Sequence, residues 1–363
     1  MSKSLFFHDS FFLLILAFLL GGGLFLLSSA SIAISERLYG SFSSFAIHQA
    51  EAVGIGIIAF CLMQFFPLRL LKPLTPLLFF AGLGLLVLVF FPHFGVELQG
   101  AKRWIHLLIT FQPAEIVKLT AVLMLAWWID RYQAKIGSFT YGFLPFLAMI
   151  GLVGGLVVRQ PDLGTFGVIC LASLAVFFVG GGRLRHVGFF IILAITTVVI
   201  LSYISPYRVD RLIVFLHPAT DLQGIGYQAH QATIAIGSGG FWGVGYGGSW
   251  QKFNYLPEPI GDSIFAIVAE EFGFFGGLLV IGAYMLLLWR GVVIARGARN
   301  TFQKLVVTGI ISTIIIQAFI NIGAISGILP LTGIPLPFIS YGGTAIVMNL
   351  LGLGIVYQIA KYS

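Results

Sequence analysis

Charge is what this sequence most lacks. Only 9% of its 363 residues are charged, while 58% are hydrophobic. A soluble globular chain carries roughly 25% charged residues, so the side chains that would cover a water-facing surface are missing. Cysteine is nearly absent too. Cys61 and Cys170 both fall inside apolar runs, which excludes a disulfide framework and a cysteine metal cage. Short segments of alternating apolar and polar residues are also missing, which excludes a transmembrane β-barrel. The net charge of +7 comes from basic residues scattered through short loops, without a basic stripe. Nucleic acid is therefore not an expected partner.

What the sequence has instead is a series of continuous apolar runs, at 11–34, 43–66, 73–92, 113–130, 141–158, 163–180, 187–204, 263–289, 305–327 and 343–358. Each is long enough to cross a hydrocarbon core of roughly 30 Å as a helix. The expected fold is an all-α polytopic membrane protein of about ten transmembrane helices, one integral membrane domain over 1–363. The first run exceeds the roughly 7–15-residue core of a secretory signal, and only Lys3 charges its start, so it reads as an uncleaved helix. Alternate loops carry 12 and 7 Lys and Arg residues, with Lys118 inside a run. The richer set marks the cytoplasmic side, which puts both termini there. Residues 205–262 form one long outer loop between helices 7 and 8. Its hydrophobicity argues against disorder, so it is expected to fold back through short helices and re-entrant turns.

Several features carry possible chemistry. Gly243, Gly245 and Gly248 match a dinucleotide-binding spacing, but no strand precedes them and no βαβ unit follows. They are read as turn glycines. Charge inside membrane helices is costly and marks functional candidates. Glu115 and Lys118 stand three residues apart on one helix face, and Asp162 begins the next helix but one. The three read either as a local pair plus a helix cap or as one inter-helix cluster. Asp262 ends the long loop, placed both to cap the following helix and to do chemistry. Glu270 and Glu271 lie two turns deeper, where a carboxylate must be paired, protonated or wet. The stretch from Gly327 to Thr344 holds three prolines and four glycines. It cannot form a regular helix, so it is a candidate cavity wall or an outer hairpin.

Taken in order, these segments resemble the SEDS family (shape, elongation, division and sporulation). The anchors are Gly100-Ala101-Lys102-Arg103-Trp104-Ile105, Gln112-Pro113-Ala114-Glu115 with Lys118, and Gln160-Pro161-Asp162-Leu163-Gly164-Thr165. Gly226-Tyr227-Gln228, Ala235-Ile236-Gly237-Ser238-Gly239-Gly240, Leu256-Pro257-Glu258 with Asp262, and Leu336-Pro337-Phe338-Ile339-Ser340-Tyr341-Gly342-Gly343 complete the set. The resemblance covers nearly the whole chain. It implies a multi-pass protein of the cytoplasmic (inner) membrane that polymerises lipid II into glycan strands on the outer face. It also implies a catalytic role for Asp262, a cluster of Glu115, Lys118 and Asp162, and a role for Ser340 at the substrate site. A class B penicillin-binding protein is the implied partner. One departure is Ile260-Gly261-Asp262-Ser263, where the family usually has His-Thr-Asp-Phe. Gly247-Gly248-Ser249-Trp250-Gln251-Lys252 is similar to the division branch, which implies the septum and other division-complex membrane proteins. The elongation branch is the alternative.

In such a reaction a sugar hydroxyl attacks an anomeric carbon and a lipid pyrophosphate leaves. Asp262 is the expected general base. Lys102, Arg103 and Lys252 are the outer cations expected to stabilise the leaving charge. No dedicated metal site is expected, and a divalent cation (Mg or Mn) is the one cofactor left open. A lipid II flippase or transporter is the main rival, because buried charges and broken helices suit that class too. A non-catalytic scaffold is the third reading.

Overall fold

The computed structural model describes residues 9–98, 101–107, 109–204, 206–218 and 222–362. Lys3, Gly100 and the side chain of Arg208 lie outside the described part. The helices are α1 (Ser10–Ala30), α2 (Ile32–Tyr39), α3 (Ser44–Met63), α4 (Leu68–Leu88), α5 (Pro113–Arg131), α6 (Leu144–Val157), α7 (Leu163–Val179), α8 (Leu184–Ile204), α9 (Pro206–Leu216), α10 (Tyr227–Ser238), α11 (Ile264–Gly297), α12 (Thr301–Ile325) and α13 (Gly343–Lys361). A π-helical turn, Phe139–Phe143, leads into α6. Among the described residues, seven helical segments are long and apolar enough to cross a membrane. The other three predicted runs are occupied by α5, which carries Glu115 and Lys118, and by α7 and α8, which are apolar over shorter stretches. The chain is thus a polytopic, predominantly helical membrane protein.

The bundle is built around α12. Of its apolar window 72% is buried, against 28% for α4. A helix apolar all round with most of its surface covered is a core helix. α4 turns most of its surface outward, as a lipid-facing helix does. The first helix belongs to the core, with Phe12 and Leu27 fully buried. Asp9 caps it by accepting from the Phe12 amide at 3.1 Å, and its other oxygen pairs with Arg290 of α11 at 2.7 Å.

Three local features differ from the sequence reading. α4 starts at Leu68, five residues before the predicted run, and continues through Pro73 and Pro76. The described residues between α4 and α5 are not a plain loop. They form a small antiparallel sheet of β1 (Gly95–Leu98), β2 (Ala101–His106) and β3 (Thr110–Phe111), in the order β1-β2-β3. The predicted unbroken helix from 263 is interrupted at Gly273, whose φ of 64° and ψ of −160° are non-helical.

That interruption has a specific partner. In a continuous helix the amides of Phe274 and Phe275 would bond to the carbonyls of Glu270 and Glu271. Here the Glu270 and Glu271 carbonyls accept from the amides of Val244 and Gly245, both at 3.0 Å. The Phe274 and Phe275 amides donate to Gly240 and Phe241 carbonyls at 2.8 and 3.3 Å. The glycine-rich loop therefore inserts into the break and satisfies both halves, which is how irregular backbone survives within an apolar bundle. Gly243 makes the approach possible. A Cβ there would meet the Glu271 carbonyl oxygen at 2.1 Å, and its φ of 79° favours glycine. The long loop thus folds back as α9, α10 and a string of turns.

Candidate active site

Asp262 sits just before α11, on a loop laced to three other elements. Asn321 of α12 donates from Nδ2 to the Asp262 carbonyl at 2.7 Å and to the Ile334 carbonyl at 2.8 Å. Ser340 donates from Oγ to the Gly261 carbonyl at 2.6 Å and accepts from the Leu336 amide at 2.8 Å. The Tyr341 amide donates to the Ile260 carbonyl at 2.8 Å. Gln49 of α3 clasps the same turn, donating to the Ser340 carbonyl at 3.2 Å and accepting from the Gly342 amide at 3.1 Å. The part of the proline- and glycine-rich stretch from Ile334 to Ser340 is therefore a largely buried wall behind Asp262. Its backbone groups are taken up by side chains, as a loop without ladders requires.

The carboxylate is oriented separately. Gln228, in the first turn of α10, donates from Nε2 to Asp262 Oδ1 at 3.1 Å and to Ser263 Oγ at 3.0 Å. Burial pushes the Asp262 pKa up, from 3.8 to about 6. Neighbouring Glu258 adds to the rise, and the Gln228 hydrogen bond and the Arg211 guanidinium oppose it. A carboxylate held near neutrality is suited to general-base work. The capping reading of Asp262 does not hold. The cap position falls on Ser263, and no side chain caps α11.

The other sequence candidates are distributed differently from expectation. Lys252 is fully buried and bonds to Glu271 at 2.7 Å and to Ser29 of α1 at 2.9 Å. It is an internal counter-charge, not an outer cation awaiting substrate. Ser29 also donates to Glu271, and Glu270 accepts from Ser249 Oγ at 2.5 Å and from the Trp250 amide at 3.0 Å. Both deep carboxylates are thereby satisfied, and together they tie the loop, α1 and α11 into one unit. Arg103 bonds from Nε to the Gln160 carbonyl at 3.0 Å and from Nη2 to the Pro161 carbonyl at 2.5 Å. It pins the small sheet to the start of α7. Lys102 is exposed on β2. Ser340, expected at the substrate, spends its hydroxyl on backbone beside Asp262.

Glu115 and Lys118 form a buried ion pair at 2.8 Å, and Lys118 donates to Gln317 of α12 at 2.6 Å. Asp162 caps α7 by accepting from the Thr165 amide at 3.1 Å and accepts from Gln112 at 3.3 Å. The three do not form a single ionic cluster. Asp162 joins only through Gln112, next to the start of α5. Gln228, Asn321 and Arg211 were not singled out from the sequence as site residues. The signal available for Asn321 was a polar side chain within an apolar run. Among the described residues no group of three or more His, Cys, Asp or Glu side chains is arranged to hold a metal ion. The residues around Asp262 thus form no metal cage of such side chains.

The comparisons with known proteins agree with this architecture. The family model described as cell cycle protein, covering FtsW, RodA and SpoVE, matches residues 10–363. The chain is 37% identical to a protein named probable peptidoglycan glycosyltransferase FtsW from Coxiella burnetii, over 97% of this chain and 96% of that one. It is 38% identical to stage V sporulation protein E of Bacillus subtilis, over 98% and 97%. Among solved structures, one from work on polymerization and crosslinking by a peptidoglycan synthase complex matches with a TM-score of 0.81 at 28% identity, covering 98% of both chains. The rod shape determining protein RodA of Thermus thermophilus matches with a TM-score of 0.72 at 27% identity, over 98% and 97%. A match along nearly the whole chain makes this protein a member of the SEDS family of FtsW, RodA and SpoVE.

Proposed function

We propose that this protein is a peptidoglycan glycosyltransferase that polymerises lipid II on the outer face of the cytoplasmic membrane during cell division, with Asp262 as general base. The observation that carries this reading is the Asp262 carboxylate. It is oriented by Gln228, backed by a rigid wall and raised to a pKa of about 6. The acceptor's sugar hydroxyl attacks the anomeric carbon of the donor. The bond from that carbon to the pyrophosphate oxygen breaks, and the electron pair leaves with the lipid pyrophosphate. The hydroxyl proton passes to Asp262, which returns it to water. Such help is worth roughly 10²–10⁴-fold.

Both termini are cytoplasmic in this reading, and the partner is a class B penicillin-binding protein alongside other division membrane proteins. One relative's solved structure belongs to work on a complex that couples polymerization to crosslinking, which supports that partner class. The flippase reading is weaker. Glu115, Lys118, Lys252, Glu270 and Glu271 are all engaged in internal bonds, which leaves them committed to structure. The purified protein with its transpeptidase partner, supplied with lipid II, is expected to yield glycan chains. Lipid movement across vesicles without any glycan would favour the flippase. Depletion in a rod-shaped host is expected to give filaments, and rounded cells with intact septa would place the chain in the elongation branch.

A further inference from the structure

Asn349 is a polar residue on the apolar helix α13. It is 8% exposed, and its Nδ2 has no hydrogen-bond partner among the described residues. A buried amide left in that condition is costly, and in folded proteins such a group is met by protein or by ordered water. Asn349 lines a cavity between α5, α12 and α13 that leaves about 20 Å³ for the centre of a water molecule. Glu115, Lys118 and Thr313 complete the polar lining, and the remaining lining residues are apolar. Glu115 Oε2 stands 2.8 Å from Lys118 Nζ but out of hydrogen-bonding alignment. A carboxylate accepts at about four sites, so this one has capacity left. Thr313 spends its proton on the Gly309 carbonyl at 2.8 Å, so its Oγ1 can only accept. The cavity therefore offers an amide that must donate and two oxygens that must accept.

We propose that this cavity is a binding site for one water molecule, which accepts from Asn349 Nδ2 and donates to the Glu115 carboxylate and to Thr313 Oγ1. The lining selects the ligand by charge. A cation would face the Lys118 ammonium and the Asn349 amide, and an anion would face Glu115. A neutral molecule that both donates and accepts satisfies all of them. Size makes the same choice. A water needs about 10–15 Å³ of such room and two to four polar partners, and the cavity supplies both. A second cavity, beside Ser173, leaves about 10 Å³ and has one polar side chain in its lining, which gives a water too few partners. The site is also connected. Lys118 donates to Gln317 Oε1 at 2.6 Å, and Gln317 donates from Nε2 to the Pro335 carbonyl at 2.9 Å, in the wall behind Asp262. The water thus extends to α13 a polar chain that runs through the buried ion pair to that wall. The inference stands apart from the reaction assigned to Asp262.

The test compares the full-length wild-type protein with Asn349→Leu in lipid nanodiscs, by electron cryomicroscopy at a resolution that shows ordered water and by thermal melting. The wild-type map is expected to show one compact peak about 2.5–3.2 Å from both the Asn349 side-chain nitrogen and a Glu115 carboxylate oxygen. Leucine keeps the branched shape of asparagine but has no donor, so melting distinguishes the two cases by sign. Where Nδ2 is bridged, the substitution strips a partner from the water and from Glu115, and the melting temperature is expected to fall by about 2 °C or more. Where Nδ2 is unpaired, an apolar replacement removes a cost, and the melting temperature would hold or rise. An Asn349→Leu protein that melts at or above wild type would overturn the proposal. So would a wild-type map that shows other buried waters but no peak here, or one that shows the elongated density of a lipid chain in the cavity. The wild-type map decides by itself where Asn349→Leu does not fold.

Discussion

Replacing Asp262 with asparagine separates chemistry from structure. The amide keeps the shape and can still accept from Gln228, but it cannot take a proton. The fold sets the size of the electrostatic consequence. Burial raises the Asp262 pKa from 3.8 to about 6, so the folded state prefers the protonated acid. As pH rises between these values the unfolded chain ionises first, and folding loses stability until the native pKa is passed. At neutral pH the ionised carboxylate thus costs the fold up to about 3 kcal/mol, at 1.36 kcal/mol per pKa unit. The neutral amide carries no such cost. Ser263, not Asp262, occupies the cap position of α11, so no cap is lost. The Asp262→Asn protein should melt no lower than wild type at neutral pH, and the difference should vanish below the ordinary carboxylate range. Its rate of lipid II polymerisation should fall at least about a hundredfold. The assays are thermal melting in detergent across pH and product length on gels. Near-normal glycan synthesis would refute the general base. A lower melting temperature at neutral pH would refute the electrostatic reasoning while leaving the catalytic role open to the gel.

The wild-type pH–rate profile should show an acidic limb at about 6. Glu258→Gln should move that limb to lower pH by removing a repelling charge, and Gln228→Leu should move it higher; limbs that stay put would contradict the assignment. Lys252→Met should strand Glu271 in the bundle at a cost of about 3–5 kcal/mol, seen as lost folded protein, with partial recovery in the Lys252→Met, Glu271→Gln double variant. Lys102→Met, on an exposed strand, should change stability by less than about 0.5 kcal/mol. Lys118→Met should lower yield or melting temperature much more than Lys135→Met, since of the two only Lys118 has a buried ionic partner; equal behaviour would mean that the buried pair contributes little.

Much of this architecture is local in origin and was therefore readable. In hydrocarbon each backbone amide must bond within its own segment, so an apolar run long enough to span becomes a helix whatever its neighbours. The ten runs accordingly coincide with ten helices, apart from end shifts such as Leu68. The anchor motifs also pointed to Asp262, and the proline- and glycine-rich stretch to the wall that stands behind it. The small sheet was missed because strands of two to six residues leave little pattern in a loop. The break at Gly273 was missed because glycine is tolerated in membrane helices, and the loop that fills the break lies some thirty residues away.

What the sequence by itself determined is the helical membrane bundle and the family. Only the tertiary structure decided what each charge is for. Lys252 and Arg211 look alike as basic residues of one loop. Packing gives Lys252 a glutamate and a serine from α11 and α1, and it sets Arg211 against the Leu331 carbonyl of the segment that also backs Asp262. Helix formation depends on a window of neighbouring residues. The partner of a charge depends on which distant segments pack against it, because burying an ion is tolerable only beside its counter-charge or hydrogen-bonding groups.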